Sequence, residues 1–185
     1  EAGFDGTSVR DIAQRAGVNK ALVFYYYDNK EALFERVVQR YYEGHHAALA
    51  AAFERDGTLA QRTHRLIDAY LDYIDEHRGF PHLVQRRVTG GSADLELIQR
   101  GLAPLFEWTQ EALAELTPPD GPLAARHFFL TFSGAVITYF TSGEVLTPIW
   151  GSDPLSEEGI EERRVHLHWL VDLILAGLKE ARSGV

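Results

Sequence analysis

The sequence predicts an all-α protein, with a small helix-turn-helix head at the N-terminus on a larger helical bundle. Three observations carry this reading. Residues 7–33 read as two short helices around a glycine-containing turn, followed by the start of a longer helix. From residue 29 onward, apolar side chains recur at three- and four-residue spacing in one segment after another, as on one face of a helix. Residues 128–140 and 166–178 are apolar around most of their circumference, so these helices must be covered on more than one side. The expected division places the head in residues 1–45 and the body in residues 46–185.

In the head, Thr7 or Ser8 caps the first helix, which runs to about Arg15 with Ile12 and Ala13 turned inward and Arg10 outward. Ala16, Gly17 and Val18 form the turn, where glycine adopts the left-handed backbone that ends a helix without steric cost. Asn19 caps the second helix, residues 19–26, by accepting from its free amides. In a helix-turn-helix the second helix enters the major groove, with its first turn at the base edges. Lys20 can then donate to guanine O6 or N7, and Ala21 or Leu22 can touch a thymine methyl.

Gly3-Phe4, Thr7-Ser8-Val9, Ile12-Ala13, Ala16-Gly17-Val18, the aromatic run Phe24, Tyr25, Tyr26, Tyr27, and Lys30-Glu31-x-Leu33 follow one another in order and without gaps. In these residues the chain resembles the DNA-binding head of the TetR family of bacterial regulators. The resemblance implies a double-stranded DNA operator as partner. It implies phosphate contacts from Tyr25, Tyr26 and Lys30, with Thr7, Ser8, Arg10 and Asn19 completing the DNA-facing set beside Lys20, Ala21 and Leu22. It also implies a helix ahead of the motif, of which Glu1-Ala2-Gly3 would be the tail; the chain holds no methionine. Family members usually carry tyrosine at Phe24 and histidine at Tyr26. A phenyl ring cannot donate a hydrogen bond, so that contact is lost or passes to Tyr25 and Tyr26. Phe24 and Tyr27 are expected in the head core, while phosphate contact is favoured over packing for Tyr25 and Tyr26.

The body follows as a series of amphipathic helices. Residues 29–54 carry Leu33, Phe34, Val37, Val38 and Tyr41 on one face and join head to body, with Gly44 as a hinge candidate. Residues 59–77 form the next helix, ended by Gly79-Phe80-Pro81 because the residue before proline disfavours helix. A short helix spans 82–88 and stops at Gly90-Gly91; Ser92 caps another over 93–116, where Pro104 can introduce a kink. Residues 122–145 form the most apolar helix, residues 147–154 a loop with Pro148 and Pro154, and Ser156 caps a last helix ending near Arg182. The family resemblance implies that the last two long helices pair with their copies in a homodimer, with Phe129, Val136, Leu167, Leu170 and Ile174 at the interface. It also implies a small-molecule effector pocket in the body, for which Tyr70, Phe106, Trp108, Phe128, Phe132 and Tyr139 are the candidate walls.

Composition narrows the function classes. The absence of cysteine removes disulfide frameworks and thiolate metal sites. No run of apolar residues is long enough to span a membrane and no secretory signal is visible, so a cytoplasmic location is expected. The net charge of -9 opposes binding of nucleic acid by overall charge. Locally the sign reverses, with Arg10, Arg15, Lys20 and Lys30 against Asp11 and Asp28 in residues 7–30. His45 with His46, and His166 with His168, sit at spacings that point to different helix faces, so no metal site is expected. No nucleophile elbow or phosphate loop accompanies Ser133-Gly134 or Gly90-Gly91, so no catalytic residue and no cofactor is expected. The expected function is a ligand-responsive, homodimeric transcriptional repressor; the alternative is a helix-turn-helix architectural or partner-binding protein without an inducer.

Overall fold

The computed structural model describes residues 4, 6–89 and 95–183, with the side chains of 87–89, 182 and 183 left aside. Eight helices and no strand occupy the described residues. In the head, α1 (Val9–Arg15) is capped by Ser8 in a reciprocal box. The Ser8 hydroxyl accepts from the Asp11 amide at 3.2 Å, and the Asp11 carboxylate accepts from the Ser8 amide at 2.9 Å. Gly17, at φ +67°, closes α1. Its amide bonds the Gln14 carbonyl and that of Val18 bonds the Ala13 carbonyl, the paired pattern of a Schellman motif. Asn19 then caps α2 (Lys20–Tyr26), accepting from the Ala21 amide at 2.9 Å.

The long helix α3 (Lys30–Phe53) is capped by Asn29 and passes through residue 45 unbroken. Its 24 residues span about 36 Å. Head and body therefore share one helix, with no linker at the expected boundary. Gly44 lies inside α3, where a β-carbon would stand 2.7 Å from the Tyr73 hydroxyl. That hydroxyl donates to the Tyr41 carbonyl at 2.7 Å. The glycine at 44 thus leaves room for the Tyr73 hydroxyl beside the α3 backbone.

α4 (Leu59–Glu76) begins in a capping box between Thr58 and Gln61. α5 (Gly79–Thr89) starts earlier than the sequence suggests, because Pro81 falls in its first turn, where the missing amide has no helical partner to lose. Gly90, Gly91 and Ser92 lie outside the described residues. α6 (Leu95–Leu113) contains Pro104, and α7 (Ala125–Trp150) continues five residues past the expected end. The expected loop at residues 147–150 is helical. Pro148 stands in the last turn, and Gly151, at φ +76°, ends the helix three residues later. α8 (Glu157–Ser183) begins with Glu157 and Glu158 in its first turn, and the Ser156 hydroxyl accepts from the Gly159 amide at 3.2 Å.

The body core lies between α3, α4, α6, α7 and α8, around Val38, Leu71, Ile74, Val136, Phe140 and Leu167. Each such side chain contributes about 1.5–3 kcal/mol by leaving water. Val136 and Leu167 are wholly covered by their own chain, so they offer no surface to a second copy, contrary to the expected interface. The seam of α4 and α8 is polar at its edge, where Arg164 bonds Asp68 at 3.0 Å and Asp72 at 2.7 Å.

Candidate functional site

The head presents the first turn of α2 to solvent. Lys20, Ala21 and Leu22 are exposed, as are Ser8, Arg10 and Asn19, while Thr7 is half-buried. The rings of Tyr25 and Tyr26 stand edge to face at 5.1 Å and are 79% and 69% exposed, so they contribute little to the head core. Phe24 departs from expectation. It is 44% exposed, with the Lys20 ammonium 5.3 Å from its ring centre. Positions 20 and 24 share one face of α2, and Val23 takes the inward position that the sequence reading gave to Phe24.

Lys30 is the second departure. Its ammonium donates to the carbonyls of Phe4 at 2.8 Å and Thr7 at 3.1 Å, and lies 4.1 Å from the centre of the Phe4 ring. Those bonds pin the strand of chain entering α1 onto the start of α3. They turn the amine inward, away from the phosphate role expected of it.

The body holds a cavity of about 510 Å³ bounded by α3 to α8. Tyr70, Phe128 and Phe132 line it, as expected of candidate walls. Phe106, Trp108 and Tyr139 do not. Phe106 packs edge-on against Phe129, Trp108 lies against His46 and Phe53, and the Tyr139 hydroxyl donates to the carbonyls of Pro154 and Gly159 at 2.7 and 2.8 Å. Phe129 and Ile174, expected at a dimer interface, line the cavity instead, and Leu170 packs half-buried on the core.

Sequence reasoning missed the α3 wall: Tyr41, Tyr42, His45 and Leu49. The signal is present, since 38, 41, 45 and 49 continue the inward face of α3, but a histidine on that face reads as a surface or hydrogen-bonded core residue rather than as a cavity wall. His45 is 4% exposed, and neither ring nitrogen has a partner. Burial, reinforced by His77 and His46, pushes its pKa down to about 3, so the ring is neutral. Burial likewise raises Tyr42 to about 12 and holds Tyr41 and Tyr70 well above the ordinary phenol range.

The family model described as bacterial regulatory proteins, tetR family, matches residues 1–37, which contain both helices of the head and the first turns of α3. Residues 1–37 are thus similar to the DNA-binding head of the TetR family. Among relatives, the Probable HTH-type transcriptional regulator YttP of Bacillus subtilis is 37% identical over 91 residues, covering 48% of this chain and 44% of that protein. IcaR of Staphylococcus epidermidis, the HTH-type negative transcriptional regulator of the biofilm operon icaADBC, is 41% identical over 39 residues, 21% of each chain. The chain thus spans less than half the length of these curated relatives. The crystal structure of PfmR, a TetR-family transcriptional regulator of Thermus thermophilus, superposes with a TM-score of 0.55 at 20% identity, over 94% of this chain and 90% of that one. That likeness extends the TetR-family fold from the head through the body.

Proposed function

We propose that this protein is a transcriptional repressor that binds operator DNA as a homodimer and is released by a small, largely apolar molecule held in the body. The observation that carries the reading is the head: a closed helix-turn-helix whose recognition turn, Lys20 to Leu22, is exposed and capped by Asn19. The repressor sign is supported by the negative regulator IcaR among the relatives. Responsiveness is supported by the cavity, whose volume lies within the range of small-molecule sites. An inducer-free architectural protein needs no such cavity.

The test begins with an operator selected in vitro from random duplex. Lys20→Ala is expected to cost about 1–3 kcal/mol at one base pair and to lower the salt slope of binding by about one unit. An unaltered base preference and slope in this variant would falsify the placement of α2 in the groove.

A further inference from the structure

The cavity wall contains no Asp, Glu, Lys or Arg among the described residues, so its polar side chains are hydroxyls, one amide and one imidazole. Most of these are engaged or out of reach. Thr63, Thr109, Thr117 and Thr141 each donate to the carbonyl four residues back. Tyr70 and Ser133 pair with one another, Gln85 has a partner of its own, and Thr138 is exposed. The ring nitrogens of His45 have no accessible surface, so a molecule in the cavity does not touch them. Tyr41 and Tyr42 remain. Their hydroxyls make no hydrogen bond within the described chain, and unlike the His45 nitrogens they are not sealed off.

Both rings are fixed by their neighbours. Tyr41 stacks on Phe80 with 3.5 Å between centroids, and Tyr42 stands edge to face against Tyr41 at 5.4 Å and Phe80 at 5.8 Å. Packing of this kind would be served as well by phenylalanine, so it does not account for the two oxygens. Burial pushes the pKa of Tyr42 up to about 12 and holds Tyr41 well above the ordinary phenol range, so both keep their protons at neutral pH and can donate. The neighbouring phenols Tyr70 and Tyr42 add to the shift at Tyr41, which gathers the three in one region of the wall. A donor held in a largely apolar cavity without an acceptor costs stability.

We infer that the cavity takes an uncharged lipophilic carbonyl compound, whose oxygen accepts from the hydroxyls of Tyr41 and Tyr42 while its hydrocarbon part lies along Leu102, Leu105, Phe128 and Phe132. This rests on the ligand-responsive reading above and adds the chemistry of the ligand to it. A carbonyl oxygen has two lone pairs and brings no proton that needs an acceptor in turn. An ammonium cannot accept from either phenol. A carboxylate can, but its charge would enter a wall with no cation to receive it, at a desolvation cost that two neutral donors do not recover.

The experiment titrates the intact protein at neutral pH with decan-2-one, decanoate and decyltrimethylammonium by calorimetry, and records the infrared carbonyl band of isotope-labelled decan-2-one in the complex. The ketone is expected to bind at least tenfold more tightly than either ion, with its band at lower frequency than in hexane. Tyr41→Phe and Tyr42→Phe keep the rings and remove only the oxygens. Each should weaken ketone binding about three- to tenfold, the value of one hydrogen bond, and the double variant should return the band toward its hexane position. Neither unliganded variant should melt lower than wild type. An ion that binds as tightly as the ketone, absence of ketone binding, or a band at its hexane position each overturn the inference, and none of these needs a variant to fold. Variants that bind the ketone as wild type does overturn it too. Operator affinity at saturating ketone is a separate reading: a ketone held by both phenols that leaves the operator bound would sink release by ligand and uphold this assignment of the wall.

Discussion

Lys30 shows how one side chain can change role between sequence and structure. An ammonium at the start of α3 suits a phosphate contact, but here it satisfies the carbonyls of Phe4 and Thr7 from a half-buried position. We expect Lys30→Ala to destabilise the head by about 1–3 kcal/mol, since bonds to a charged donor are the stronger kind. Amide hydrogen exchange across α1 should then quicken, while the salt slope of DNA binding stays as in wild type; a slope reduced by one would restore the phosphate role. His45 supports a pH prediction. Its pKa in the folded chain is about 3 against an ordinary 6.5, so between those values the unfolded chain holds a proton that the folded one lacks. Stability therefore falls with acidification, by about 1.4 kcal/mol per pH unit below 6.5. His45→Phe should remove this component, so the stability gap between variant and wild type in urea should widen from pH 7 to pH 5. A constant gap would mean that His45 is protonated normally. The recognition residues could be read from the sequence because caps, turn and spacing are local. Lys30 and His45 could not, because their partners, or the lack of them, are set by chain from distant elements.

At the scale of elements, the helices were legible and their contacts were not. Periodicity located all eight segments, since each must bury an apolar face. It misplaced the end of α7, because a proline in a last turn removes one hydrogen bond without ending a helix whose apolar pattern continues through Ile149 and Trp150. Close approaches between helices are set by glycine in a way no periodicity shows. A β-carbon at Gly101 of α6 would collide with the Tyr42 ring on α3, so that ring lies directly on the α6 backbone. Tyr42 also lines the cavity, which ties the α3–α6 contact to the cavity wall. We expect Gly101→Ala to cost about 1–3 kcal/mol by overpacking and to weaken ligand binding as the ring is forced toward the cavity. Gly134→Ala, where open space surrounds the new carbon, is the control and should leave stability within about 1 kcal/mol. Equal stability of the two variants would show that α3 and α6 can part without loss.

At the scale of the molecule, the surface of α7 and α8 decides how heads could be paired. Val145 and Ile149 are exposed on α7, where the exposed Leu130 and Ile137 also border the cavity, and Val165, Trp169 and Leu173 follow at four-residue steps on α8. Trp169 is 58% exposed, and large apolar side chains exposed on both helices are the kind of surface that would suit a partner. A second copy would carry the same stripe, and a two-fold pairing would set two heads on one operator, with half-site centres about 34–36 Å apart or a multiple of it. The path from ligand to DNA then has named parts. Tyr41, Tyr42, His45 and Leu49 of α3 meet the cavity, α3 runs unbroken back to Lys30, and Lys30 holds the carbonyls that precede α1. A ligand that shifts the α3 wall moves the head with it, and a head displaced by a few ångströms loses its groove. We expect Trp169→Glu with Leu173→Glu to give a folded monomer by sedimentation that no longer holds the operator, whereas Leu167→Ala should lose about 2–5 kcal/mol of stability by emptying the core. If the protein pairs in this way, a saturating ligand of the cavity should lower operator affinity about 5–150-fold, the usual range of such coupling. Gln39→Gly with Arg40→Gly softens α3 between the cavity and the head at exposed positions, at about 1 kcal/mol for each glycine. It should leave that ligand's affinity unchanged and reduce its effect on operator binding. A full response in the softened helix would mean that the signal travels by another route, through a change in how the α7 and α8 stripes pair.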